Sequence, residues 1–145
     1  MTSGVDRIVG GGVPNGVYIV ADDRSPFELD DTLASAGRRL CVADLADAVD
    51  KDGCIDALRT AVDAPEWAGS NWDALYDVLT DLSWLPAEAH VVVVDGPGRL
   101  ARAQPSVWGF AVNVLADAAR WWGERDHGFH VLIRDTDPMS GLCAL

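Results

Sequence analysis

Three aspartates, Asp73, Asp77 and Asp81, recur every four residues in the segment PEWAGSNWDALYDVLTDLSW, residues 65–84. On a helix that spacing stacks them one turn apart on one face, with Tyr76 and Thr80 beside them. Trp72, Leu75, Leu79 and Leu82 then form an apolar core stripe. Like charges so placed repel by about 0.2–0.5 kcal/mol per pair. The helix dipole offsets part of this for Asp73, in the first turn, and for neither of the others. The segment holds no Lys or Arg to pair with them. One reading is a solvated acidic face. The other is recognition: carboxylates about 6 Å apart stand in for consecutive phosphates of a nucleic-acid chain. Trp67 and Gly69 in the preceding loop, with Tyr76 between two aspartates, suit contact with a basic protein surface.

Other residues invite catalytic readings and support them less well. His127 and His130 form an HxxH pair, but a metal needs a third ligand and none stands at a suitable spacing. Paired carboxylates can act as general acid and base, yet no histidine accompanies the acidic cluster, and an exposed helix face does little to raise a carboxyl pKa. Arg7-Ile8-Val9-Gly10-Gly11 resembles a processed protease N-terminus in a chain without the GDSGG segment or the His/Asp pair such an enzyme requires. Glycines 10–12 follow no strand and precede no GK[ST], so they form no phosphate loop. Cys41, Cys54 and Cys143 are odd in number and fit no CxxC pattern; they read as reduced thiols.

The elements that must position the acidic segment follow from periodicity and turn chemistry. Apolar strands are expected at 16–21, 38–45, 90–94 and 129–134. The continuous run HVVVV, residues 90–94, marks a strand buried on both faces, as in a parallel sheet. Ile55, Leu58, Ala61 and Val62 predict an amphipathic helix over 50–64, ended by Pro65. Asn71 is a good N-cap for the helix that carries the aspartates, and Pro86 lies past its end. Gly96-Pro97-Gly98 breaks the chain, and a helix follows over 106–122. A further helix is expected around 27–36. The order β, α, β, α, α, β, α, β predicts a small layered α/β fold with a mainly parallel sheet.

The chain has 145 residues, 49% of them apolar, which suits one folded domain. Its net charge is −12. An acidic surface of that size repels nucleic acid and anionic membrane, so neither is an expected partner. Residues 22–81 hold 15 acidic and 5 basic side chains against 7 and 5 in residues 82–145, which concentrates the charge around the aspartate segment. The first sixteen residues lack the basic and apolar regions of a signal peptide, and no apolar run reaches about 18 residues. A cytoplasmic protein that needs no cofactor is expected.

The segment PEWAGSNWDALYDVLTDLSW resembles the signature of the barstar family, intracellular inhibitors of small secreted guanyl-type ribonucleases. The shared pattern is Pro65-Glu66-Trp67, then Gly69, Asn71 and Asp73-Ala74-Leu75-Tyr76-Asp77. The order of flanking elements agrees, so the resemblance spans about residues 37–135. It implies a barstar-like fold with a three-stranded, mainly parallel sheet packed with helices, to which residues 17–36 add an N-terminal extension and a short strand. Residues 1–16 are expected to be a flexible Gly-rich segment and 136–145 a tail.

By that resemblance the loop and helix plug a ribonuclease active site. Asp77 then takes the place of a substrate phosphate among the enzyme's arginines and catalytic histidine, and Asp73 meets its substrate-recognition groups. Trp67 stacks on the active-site histidine, where the family has tyrosine, and Tyr76 stands where tryptophan is familiar. Gly69 and Asn71 shape the loop, Thr80 extends the contact face, and Trp84 corresponds to a tryptophan after the helix. Ala68 replaces a second aromatic, and a glutamate the family places at the start of the last helix falls near Gly109. The implied partner is a small basic ribonuclease, bound 1:1 by a protein that is monomeric when free. The alternatives are an antitoxin or immunity protein of the same fold directed at another basic toxin, a small hydrolase using His127 and His130, and a structural partner that uses its first 36 residues as an arm.

Overall fold

The computed structural model describes residues 4–134 and the backbone of residues 143–144. The chain runs α1 (Gly4–Val9), β1 (Gly16–Ile19), α2 (Pro26–Ala34), β2 (Arg38–Asp44), α3 (Lys51–Ala61), α4 (Trp72–Leu79), β3 (Ala89–Asp95), α5 (Gly98–Ala103), α6 (Pro105–Gly123), β4 (Gly128–Arg134) and β5 (Cys143–Ala144). The strands form one parallel sheet in the order β2-β3-β4-β1-β5. β1, the expected extra strand, joins it by pairing with β4.

Side-chain alternation sends each strand to two cores. Val92 and Val94 of β3, with Cys41, Ala43, Phe129, Val131 and Ile133, pack beneath helices α3 to α6. Val91, Val93 and Leu132 point the other way and pack with Val5, Ile8, Leu29 and Leu33 of α1 and α2. The sheet is thus covered on both faces, which is why β3 reads as an unbroken apolar run. Strand contact is close where the strands begin. A Cβ on Gly128 would lie 2.9 Å from the Ala89 Cβ and 3.2 Å from Arg38 Nη1, so this position needs glycine.

Two expectations change at the ends of elements. Within the segment expected to be flexible over 1–16, Gly4–Val9 is helical with Val5 and Ile8 fully buried. The chain after it is tied down as well. The Asn15 amide donates to Ala119 O at 3.1 Å and His127 O at 2.8 Å and accepts from Phe129 N, while His130 Nε2–H donates to Val13 O. A six-residue helix between glycines has too few positions to show a period, and burial holds it. After β3, the Gly-Pro-Gly break proves to lead straight into α5, whose Leu100 is buried. The tail expected over 136–145 lies outside the described residues, except for the backbone of Cys143 and Ala144.

At the C-terminal ends of β3 and β4 a buried ion pair joins sheet and loop. Arg134 meets Asp95 through Nε–Oδ1 at 2.6 Å and Nη2–Oδ2 at 2.8 Å, and its Nη1 donates to the carbonyls of Asp22 and Arg24. Satisfying the guanidinium with carbonyls as well as carboxylate is what makes such burial tolerable. No helix among the described residues is long and apolar enough to cross a membrane.

Candidate functional site

The loop after α3 and the helix α4 present the acidic segment. Asn71 caps the helix: its side chain accepts from Ala74 N at 2.8 Å. Arg59 of α3 holds the loop from below, its Nη2 donating to Ala68 O at 2.9 Å and its Nη1 to the Ser70 hydroxyl. Gly69 is squeezed against the helix, since a Cβ there would stand 3.1 Å from the Ala74 Cβ. Leu75, Val78 and Leu79 bury the inner face of α4. The loop and helix are therefore a held shape and not a flexible tether.

On the outer face Asp73 and Asp77 are exposed and Tyr76 is half-buried between them. Among the described residues neither aspartate enters an ion pair. Trp67 is 76% exposed, although its ring makes an edge contact with Trp84 at 6.3 Å. Trp84 is itself fixed, its indole N–H donating to Val62 O at 2.9 Å. It supports Trp67 from behind. Thr80 is the C-cap, and its hydroxyl donates to Tyr76 O at 2.8 Å.

The regular row of three aspartates does not persist. α4 ends at Leu79, and Leu82 takes a positive φ of 55°. Leu82 is still buried, but it gets there through a turn and not on the helical stripe. Asp81 falls outside the helix, where its carboxylate accepts from Ser83 N at 3.3 Å. Only Asp73 and Asp77 are spaced by a helical turn. Trp72, at the start of the stripe, packs half-buried against the core and also stacks on Phe110 of α6 at 5.1 Å between centroids.

That stack floors an open groove of about 630 Å³ between α4 and α6. Asp73, Tyr76 and Asp77 line it from α4, and Asp117, Trp121 and Glu124 from the far half of α6 and its cap. Sequence reasoning missed the α6 side. The resemblance puts the position of the family's glutamate near Gly109, at the beginning of that helix, where nothing stands within 4 Å of a would-be Cβ. Asp117, two helical turns on, is the carboxylate that shares the groove. The one available signal was helical phase relative to Phe110, seven residues earlier.

The histidines form no metal site. His127 and His130 go to different partners, and the described residues contain no group of three His, Cys, Asp or Glu placed to hold a metal. His90 Nε2–H donates to Leu85 O at 2.8 Å, which leaves Nδ1 to accept from His127 Nε2–H at 2.9 Å. Burial lowers the pKa of His90, His127 and His130, since a charge there would lose its water. His130 is occupied by Val13 O. Cys41 and Cys54 are free and buried, and burial pushes their thiols up to about 11 and about 12, far from reactive.

With this geometry in place, comparison with known proteins adds one finding. The model of the family described as Barstar (barnase inhibitor) matches residues 38–134. No curated protein matches the chain. The matched span starts at β2 and ends with β4, so α1, β1 and α2 lie outside it.

Proposed function

The chain belongs to the barstar family, and from that premise we propose that it inhibits a small secreted guanyl-type ribonuclease by plugging the enzyme's cationic active site with the 65–70 loop and the outer face of α4. The observation that carries this reading is the state of Asp73 and Asp77. They are exposed, one turn apart on a capped and packed helix, with no ion-pair partner among the described residues. Within the fold the pair repels itself by about 0.2–0.5 kcal/mol, offset only in part by the helix dipole at Asp73. A site that binds RNA phosphates supplies the missing cations.

Asp77 is the phosphate substitute in this scheme and Asp73 the contact to the base-recognition groups. Trp67 offers an exposed ring for stacking on the catalytic imidazole, with Trp84 as its backing. Gly69, Asn71 and Thr80 act mainly by shaping the loop and the helix ends, and Tyr76 fills the space between the carboxylates. The net charge of −12 adds long-range attraction to a basic enzyme and makes the encounter sensitive to salt. Pre-packing of the loop by Arg59 limits the entropy lost on docking. The working place consistent with this role is the cytoplasm, and the complex is 1:1.

The test is inhibition of a purified secreted guanyl-specific ribonuclease at low and high ionic strength. Strong inhibition that weakens with salt is expected. Inhibition absent at both strengths would refute the reading and favour an immunity protein of this fold with another basic target.

A further inference from the structure

One edge of the sheet is open. Among the described strands β2 pairs only with β3. Leu45 N donates to Asp95 O, and in the parallel register that runs from Arg38↔Ala89 to Asp44↔Asp95 this turns the N–H and C=O groups of Arg39, Cys41 and Ala43 toward β3. Those of Arg38, Leu40, Val42 and Asp44 point away from the sheet, and no described residue bonds to them. We propose that a second copy of this chain pairs with that edge, β2 against β2, antiparallel about a two-fold axis beside Cys41, so that the two sheets become one. The dimer replaces the free monomer that the family resemblance implies, and it does not rest on the inhibitor reading. α3 packs on both β2 and α4, so the plugging face stands one helix away from the edge and each copy keeps it.

Proteins usually blunt an open edge with a central charge, a proline or a bulge. The middle of β2, Leu40-Cys41-Val42-Ala43, carries no charge and no proline, and its register with β3 is unbroken. Val42 is half-buried and joins neither core. Charge stands only at the ends, and with opposite sign: Arg38 and Arg39 at the start, Asp44 at the close. Antiparallel pairing brings opposite ends together, whereas a parallel addition would set arginine against arginine. Of the two-fold registers, the one centred on Cys41 engages all four outward residues. Arg38 then faces Asp44 of the second copy and Leu40 faces Val42, each as a hydrogen-bonded pair. Leu40 and Val42 supply an apolar cross-strand contact on either side of the axis. Neither Arg38 nor Asp44 enters an ion pair among the described residues, and Arg38 Nε has no hydrogen-bond partner. The opposing influence is the net charge of −12 on each copy, which holds two copies apart at low salt.

The test is sedimentation equilibrium of the purified protein in about 0.3 M salt, which screens that repulsion. The average mass is expected to rise from 15.5 kDa toward twice that value as the concentration goes from about 5 μM to about 500 μM. Val42→Pro removes an outward N–H at an edge position, where proline is tolerated, and is expected to weaken the dimer by about tenfold or more. Asp44→Arg sets like charges against Arg38 of the second copy and is expected to weaken it by about tenfold. Mixing Asp44→Arg with Arg38→Asp restores opposite charges at both ends, and recovery of a mixed dimer is expected. That charge swap decides the matter if Val42→Pro fails to fold. A wild-type protein that stays monomeric at every concentration overturns the proposal and leaves the edge to an extended segment of another protein. A dimer of equal strength in Val42→Pro and Asp44→Arg lies on some other surface and overturns it as well. Mass is read with no ribonuclease present, so neither result bears on the inhibitor reading.

Discussion

Two short helices, α2 and α4, share most of their local chemistry and differ in what surrounds them. Both begin at a side-chain cap, Ser25 with a full capping box in α2 and Asn71 in α4. Both bury leucines, Leu29 and Leu33 in one and Leu75 and Leu79 in the other. Both turn carboxylates to solvent, namely Glu28, Asp30 and Asp31 against Asp73 and Asp77. Yet α2 closes one face of the sheet with only Phe27 standing exposed near its carboxylates, at 86%. α4 is flanked by an exposed tryptophan, a half-buried tyrosine and an aromatic groove. An acidic helix face is therefore not a site by itself; fixed aromatic neighbours distinguish α4 from α2.

The comparison can be broken most severely at the layer that α2 belongs to. Residues 4–34 lie outside the family match, yet they cover Val91, Val93 and Leu132. Removal of residues 1–36 is expected to abolish cooperative folding, seen as loss of a sigmoidal urea transition. A truncated protein that unfolds with unchanged midpoint would show the layer to be dispensable. On α4 the largest single effect is expected in binding. Asp77→Ala should weaken the ribonuclease complex by about 3–5 kcal/mol, because the enzyme's cations are left buried without a partner. Its urea stability should stay within about 0.5 kcal/mol of wild type. Leu29→Ala inverts the pattern: about 3 kcal/mol lost in stability, and binding by the folded fraction unchanged.

Acid offers a finer test. His90 and His130 keep their neutral forms in the fold because burial lowers their pKa values. The unfolded chain takes up protons first as pH falls below the ordinary 6.5, so stability is full above that value and declines on acidification. Asp22 behaves in the lower range: the Arg24 hydrogen bond lowers its pKa, and its contribution is lost below the usual 3.8. Urea midpoints measured from pH 8 to pH 3 should fall in these two windows; a midpoint flat between pH 7 and pH 5 would contradict the histidine assignment. The smallest effects belong to the control residues. Asp30→Asn and Asp31→Asn on α2 should alter ribonuclease binding by no more than about 0.5 kcal/mol at moderate salt. Trp67→Ala, at an exposed position, should leave stability unchanged to the same degree while reducing inhibition.

Much of this molecule is written in local pattern. The HVVVV run, the Ile55–Val62 periodicity, the Asn71 cap and the Pro-Glu-Trp to Asp77 spacing each depend on near neighbours in the chain, and nearness is what sequence preserves. From them came the parallel α/β order and the loop-helix segment later matched by the family. What the pattern leaves open needs contacts across the fold. α1 is helical because Val5 and Ile8 find a core on the far face of the sheet. α4 stops at Leu79 because a left-handed turn carries Leu82 inward, which removes Asp81 from the row. Trp72, packed at the edge of the core, stacks on Phe110, 38 positions away, and Asp117 joins the groove from a helix that no local spacing links to Asp77. Residue types and their period determined which elements form; only packing, which depends on shape and distance between segments remote in sequence, decided where their outward side chains meet.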